Sequence, residues 1–392
     1  MAGDYVETRS DADAILVKAT SIPLVPTIDA IIFDCDGVLI DVRDSYTAAI
    51  HASVAYVLRE LFDVDFPASS SFLELIHTFK KSGGFNNECD VVYVVLLALF
   101  TQLPVRLQRE WLATRQQFVD QPPFARFSLA KQLFQHQLTP LERAALLNLA
   151  PAFALAEQAD SAGISSIERA FTSNRSTQDV FAAAQTFLVY PGPVGESLLT
   201  TLFEELFCGS ALFESHYGHK PQFSWGRGLI AKETPLVSPV ILSALAAHLG
   251  HYKFGIATGR PYSYTLHTLG RLLNHFNRLA CVFIEDVEAA ETQSRLTHSG
   301  ISLTKPHPFS LLHSAEGLNP FTRAAYVGDS AEDVIMVKTA CRSDDRFLSI
   351  GVYSTSSFQE DLIAAFMALE TDIILPSIQE LAGVLASVEE MT

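Results

Sequence analysis

Ala30-Ile31-Ile32-Phe33-Asp34-Cys35-Asp36-Gly37-Val38-Leu39 is an apolar run that stops at two carboxylates and a glycine. Such a run reads as a buried strand. Side chains two apart on a strand share a side, so Asp34 and Asp36 address one site if extended geometry persists just past the strand end. One carboxylate of such a pair can attack while the other shuttles a proton.

Strand-like runs recur at Phe254-Ala257, Cys281-Ile284, Ala325-Val327, Leu348-Val352 and Ile373-Leu375, all far downstream of the first. Helical patterns separate several of them. One is especially legible: Ser238 as N-cap, Pro239 at the first helical position, an apolar stripe of Ile241, Leu242, Leu245 and Leu249, then Gly250. Alternation of this kind predicts an α/β fold with a parallel sheet covered on both faces. Residues 45–232 have a different texture, rich in Leu, Ala, Phe and Gln at helical spacing, with breaks at Gln121-Pro122-Pro123 and Tyr190-Pro191-Gly192-Pro193. The first strand precedes this region and the others follow it. The expected organisation is therefore an N-terminal segment and first strand in 1–44, an inserted mainly helical domain in 45–232, and the remainder of the core in 233–392.

With 392 residues, 48% of them hydrophobic, the chain can bury a sizeable core. A formal charge of -17 disfavours a nucleic-acid binder, whose affinity rests on clustered Lys and Arg. The first twenty residues carry Asp4, Glu7, Asp11 and Asp13 and do not read as a secretory signal. The longest apolar run, Val91 to Phe100, is about half of what a membrane helix needs. Five scattered cysteines without close-spaced pairs read as reduced thiols in a cytoplasmic protein. No partner membrane or nucleic acid is expected, and the oligomeric state is not legible.

Ligands of open parallel sheets gather beyond the carboxyl ends of the strands. Four polar segments follow the strand-like runs or lie in nearby loops: Asp34-Cys35-Asp36-Gly37, Thr258-Gly259-Arg260-Pro261, Lys305-Pro306-His307-Pro308 and Gly328-Asp329-Ser330-Ala331-Glu332-Asp333. Singly, each has a structural explanation. Thr258 can cap the following helix, Lys305 can be a surface lysine beside a Pro-x-Pro turn, His307 can be a polar turn residue, and Asp329 can initiate a helix through Asp333.

Taken together and in this order, Asp34, Thr258, Lys305 and Asp329 resemble the haloacid dehalogenase-like superfamily. The resemblance covers about Ile31 to Ser45 and Pro235 to the C-terminus, and the helical insertion is similar to the family's cap, though longer. It implies a Rossmann-like core and a Mg2+-dependent phosphomonoester hydrolase acting on a small phosphorylated metabolite. Asp34 would be the nucleophile that forms an aspartyl-phosphate, and Asp36 the general acid and base. Thr258 and Lys305 would meet the phosphoryl oxygens. Asp34, the Asp36 carbonyl and Asp329 would hold the metal, with Asp333 in support. A phosphomutase on a sugar phosphate, or a ligand-binding protein without turnover, remains an alternative reading.

The family often places an acidic pair shortly before its lysine, whereas Lys305 here follows Asp286 by 19 residues. An inserted loop over 288–301 would account for the spacing. The backbone amide of Gly259, after Thr258, is a candidate donor to the substrate, and Arg260 and Arg43 are secondary anion-contact candidates, with surface pairing as the equal alternative. In the helical insertion, the Lys80-Lys81-Ser82-Gly83-Gly84-Phe85-Asn86-Asn87 segment resembles the loop with which related caps meet the leaving group. Lys80, Lys81, Gly84, Asn86 and Asn87 are the substrate candidates there, against a solvated turn favoured by Gly-Gly and Asn-Asn alone.

Overall fold

A computed structural model describes residues 5–10, 13–85, 87–173, 175–296 and 302–389. The chain forms two compact units, one comprising 1–43 and 233–392 and the other 44–232.

Among the described residues the first unit has ten strands: β1 (Tyr5–Ser10), β2 (Asp13–Lys18), β3 (Ile28–Phe33), β4 (Ile40–Asp41), β5 (Thr234–Pro235), β6 (Phe254–Ala257), β7 (Cys281–Val282), β8 (Arg323–Gly328), β9 (Phe347–Val352) and β10 (Ile373–Leu375). Eight of them make one sheet in the order β1-β2-β10-β9-β8-β3-β6-β7. From β10 to β7 the pairing is parallel, so the expected α/β fold with a Rossmann-like sheet is what forms. β3 lies in the middle because it is apolar on both faces. Ile31 and Phe33 pack with Phe254, Ile256, Val327 and Ile350 on one side, while Ala30 and Ile32 pack with Ala324, Tyr326 and Met336 on the other. The two sets alternate along the strand, as the pleat requires. The helix Pro239–Leu249 forms as its signals predict: the Ser238 hydroxyl accepts the Ile241 N–H at 3.3 Å, and Leu242 and Leu245 are buried.

Two expectations need correction. The strand read over Cys281-Ile284 ends at Val282, and a helix, Ile284–Leu296, occupies most of the segment expected to be an inserted loop. Its Glu285 and Asp286 fall in the first turn, where they complement the helix dipole. The remainder of that expectation, 297–301, lies outside the described residues. The sheet is also extended at one edge by β2, antiparallel to β10, and by β1, antiparallel to β2.

The second unit is helical. It includes Ser70–Lys81, Glu88–Phe100, Val105–Thr114, Pro123–Phe134, Ile164–Ser173, Arg175–Leu188 and Leu198–Tyr217. Glu88–Phe100 contains the longest apolar run, and every residue from Val91 to Phe100 is fully buried, so this is the core helix of the unit. Among the described residues, no helix is long and apolar enough to cross a membrane. A buried carboxylate ties the end of this unit together. The backbone N–H groups of Gln222, Phe223 and Ser224 donate to Glu205, which is 1% exposed. Replacing it leaves those donors without their acceptor. Glu205→Ala is expected to cost about 3 kcal/mol in urea unfolding; an unchanged midpoint would show that other contacts hold the 222–224 turn.

Candidate active site

Asp34, Thr258 and Asp329 each follow the carboxyl end of a strand. The registers pair Phe33 with Val327 and with Ile256, so Asp34 after β3, Thr258 after β6 and Asp329 after β8 leave the sheet at one edge. The edge is pinned by the backbone: Asp34 N–H donates to the Val327 carbonyl at 2.9 Å and Thr258 N–H to Val282 at 3.1 Å. Past Asp34 the chain turns sharply. Gly37 has φ +71°, and its N–H donates to the Ile40 carbonyl at 2.9 Å. A Cβ on Gly37 would lie 1.8 Å from Asp329 Oδ2, so glycine is required both by the turn and by the carboxylate that approaches it.

Lys305 joins the acidic groups. Its ammonium lies 2.9 Å from Asp34 Oδ2 and 2.8 Å from Asp333 Oδ1, and 5.3 Å from the centre of the Tyr326 ring. Burial alone would lower its pKa, but the Asp333 and Asp34 charges more than compensate and hold it well above the ordinary lysine value. Asp333 is otherwise saturated: Tyr326 OH donates to Oδ1 at 3.2 Å, and Ser330 Oγ donates to Oδ2 at 2.7 Å. Ser330 and Asp333 form a capping box that starts the helix Ala331–Ala340, so helix initiation and the position of Lys305 share one carboxylate.

Burial pushes the Asp34 carboxyl up to about 6; Lys305 opposes the rise, and the Asp333 and Asp36 charges add to it. Asp329 is raised well above the carboxylate range by burial, then by Asp333, Asp34 and Asp36. Ligand oxygens of Asp34, Asp329 and Asp333 lie within 4.8 Å of one another. Hard carboxylate oxygens converging in a region of excess negative charge fit a divalent cation of the magnesium type. Asp34 and Asp329 suit direct ligation, whereas Asp333, engaged by Lys305, Tyr326 and Ser330, suits support from outside.

Asp36 has different neighbours. Arg260 Nη1 lies 2.8 Å from its Oδ1, and the same guanidinium forms a two-pronged pair with Glu233. The Arg260 and Glu233 side chains are both 0% exposed, against 31% for Asp36. Arg260 is therefore not the anion contact expected from the sequence: its guanidinium is enclosed and directed at two carboxylates. Gly259 is exposed, with open space where a Cβ would stand. The Thr258 side chain is buried, and its hydroxyl accepts the Arg260 N–H at 3.2 Å.

Other sequence candidates take up structural positions. Glu285 accepts the Tyr262 N–H and Asp286 accepts the Phe283 N–H, so both serve helix starts. His307 accepts the Phe309 N–H at the head of the helix Phe309–Leu318, and Arg43 pairs with Asp41. Lys80, Lys81, Gly84 and Asn87 belong to the helical unit. There Lys80 pairs with Glu88, Asn87 caps the helix Glu88–Phe100, and Gly84 packs so closely on the 160–163 backbone that a Cβ would meet Asp160 O at 2.4 Å. Lys81 is exposed in the last turn of Ser70–Lys81. Asn86 lies outside the described residues.

Two residues of the site escape a sequence reading. Tyr326 is hidden inside an apolar strand run, and Glu233 meets Arg260 across 27 positions with no motif around it.

No protein-family model matches the chain, and no curated protein does. Among solved structures, an X-ray structure from the Northeast Structural Genomics Consortium aligns over 93% of this chain and all of its own, with TM-score 0.65 and 20% identity. A structure described as phosphatase Tt82 from Thermococcus thioreducens aligns over 87% of this chain and 98% of its own, with TM-score 0.48 and 20% identity. The first likeness is one of fold.

Proposed function

We propose that the chain is a phosphomonoester hydrolase of the haloacid dehalogenase-like type, acting on a small phosphorylated metabolite. The observation that carries this reading is the unequal setting of two carboxylates two residues apart. Asp34 is buried against a lysine at 2.9 Å, while Asp36 is partly exposed and held by an arginine at 2.8 Å. Neighbouring carboxylates in different environments can take different tasks in one reaction.

In the first step an Asp34 carboxylate oxygen bonds to phosphorus as the bond from phosphorus to the leaving oxygen breaks, and Asp36 gives that oxygen a proton. In the second, Asp36 takes a proton from water as the water oxygen attacks phosphorus, and Asp34 leaves as carboxylate. Lys305 lies beside Asp34, where its charge meets both the nucleophile and the phosphoryl oxygens, and the Thr258 hydroxyl stands at the adjacent strand end. Asp34 and Asp329 would hold magnesium, which supplies positive charge against the repulsion between carboxylate and phosphate.

The test is release of inorganic phosphate from a broad panel of phosphate monoesters. Release is expected with Mg2+, loss with a chelator and recovery when Mg2+ is restored. No release from any ester in Mg2+, or release untouched by the chelator, would overturn the reading. Isomerisation of a sugar phosphate without net release would replace hydrolase by mutase.

A further inference from the structure

Asp36 is anchored by a buried chain of contacts that runs away from the reacting end of the site. Arg260 Nη1 donates to Asp36 Oδ1 at 2.8 Å and to Glu233 Oε1 at 3.2 Å, and Arg260 Nη2 donates to Glu233 Oε2. Glu233 is fixed in turn by Thr268, whose hydroxyl donates to Oε2 at 2.7 Å. Arg260 Nη2 also reaches the Tyr264 carbonyl at 3.5 Å. Tyr264 and Thr268 lie on one helix, Tyr262–Leu269, so the anchor is built on rigid structure.

A buried ion pair of this kind is weak evidence for stability, because desolvating two charges offsets most of their attraction. The pair gains little for the fold by existing, yet it ends on Asp36, whose side chain is 31% exposed while those of Arg260 and Glu233 are 0% exposed. Its planar fork suits it to fixing the orientation of two carboxylates at once, and it stays charged without exchanging protons itself. Resting on the proposed hydrolase reading, we infer that Arg260 and Glu233 are positioning residues: they aim the Asp36 carboxylate at the leaving-group oxygen and keep it there through both steps. Neither residue touches substrate. Proton transfer demands hydrogen-bond reach, and the Arg260 contact at 2.8 Å bears on where the Asp36 carboxylate points.

This role makes a distinction that a merely structural one does not. Losing the aim of the general acid matters in proportion to how much the leaving group needs a proton. The experiment is a rapid-mixing measurement of phenol release in the first turnover, using 4-nitrophenyl phosphate, whose leaving group departs as a stable anion, and phenyl phosphate, whose leaving group needs the proton. Arg260→Met is expected to slow phenyl phosphate on the order of 10²-fold more than 4-nitrophenyl phosphate, within the range of general-acid contributions. Glu233→Gln, which leaves Arg260 in place but loosens it, should show the same selectivity at smaller size. Should Arg260→Met fail to fold because Glu233 is stranded, Arg260→Met with Glu233→Met removes both buried charges and is expected to keep the selectivity.

Equal slowing of both esters in these variants would overturn the positioning role alone. Absence of a first-turnover release in the unsubstituted protein, or release that survives Asp34→Asn, would overturn the hydrolase reading and this inference with it.

Discussion

Asp34→Asn is expected to lower phosphate release on the order of 10⁴-fold or more while leaving the protein folded, because an amide of the same shape cannot attack phosphorus. Burial has already raised the Asp34 carboxyl to about 6, so its charged form is the costly one in the metal-free protein. The linkage sign follows from that direction. Below the ordinary carboxylate value both folded and unfolded chains are protonated at this position; between that value and about 6 only the unfolded chain ionises. The contribution of Asp34 to stability is therefore present at low pH and lost as the pH rises through this window. Asp34→Asn should abolish that loss, giving a metal-free thermal midpoint at neutral pH equal to or above that of the unsubstituted protein. Circular dichroism melting beside a phosphate assay separates the two effects. Residual turnover near the original rate would remove Asp34 as nucleophile.

Lys305→Met is expected to damage fold and chemistry together. Its ammonium is the shared partner of Asp34 and Asp333 at 2.9 and 2.8 Å, all three side chains being largely enclosed. Removing the cation leaves two carboxylates facing each other, a loss of about 3–5 kcal/mol when a buried partner is deleted. Activity should fall on the order of 10²–10³-fold, as for other charged or dipolar groups that meet a developing anion. Adding Asp333→Asn to Lys305→Met should recover part of the stability, since one of the stranded charges is gone, without recovering turnover. Equal recovery of both would mean that Lys305 acts only by holding the structure.

What could be read from the chain follows from where the physical signal is local. The runs Ile31-Ile32-Phe33, Phe254-Ala257 and Ala325-Val327 are buried on both faces, which makes an unbroken apolar run the only pattern they can have. Tyr5-Val6-Glu7-Thr8-Arg9-Ser10 carries no such run, because an edge strand owes its form to ladder bonds with Asp13–Lys18. In Ile284–Leu296 the helical signal was present, in an acidic first turn followed by Ala289 and Ala290, but the spacing to Lys305 suggested a loop in its place. The acidic and basic groups at strand ends announced themselves because a polar residue ending an apolar run is conspicuous. Arg260 was legible as a charge near the site but not as one turned inward, since its direction depends on Glu233, a partner 27 residues away in the chain.

In the proposed reaction Asp34 carries the phosphoryl group between the two steps. Acid-quenching the protein during turnover of 4-nitrophenyl phosphate and mapping the modified peptide by mass spectrometry tests it most directly. The predicted result is a single phosphoryl group on Asp34, absent from the Asp34→Asn protein and accumulating in Asp36→Asn, where the second step loses its base. A phosphoryl group on any other residue, or turnover with no phosphorylated protein in either form, would contradict it.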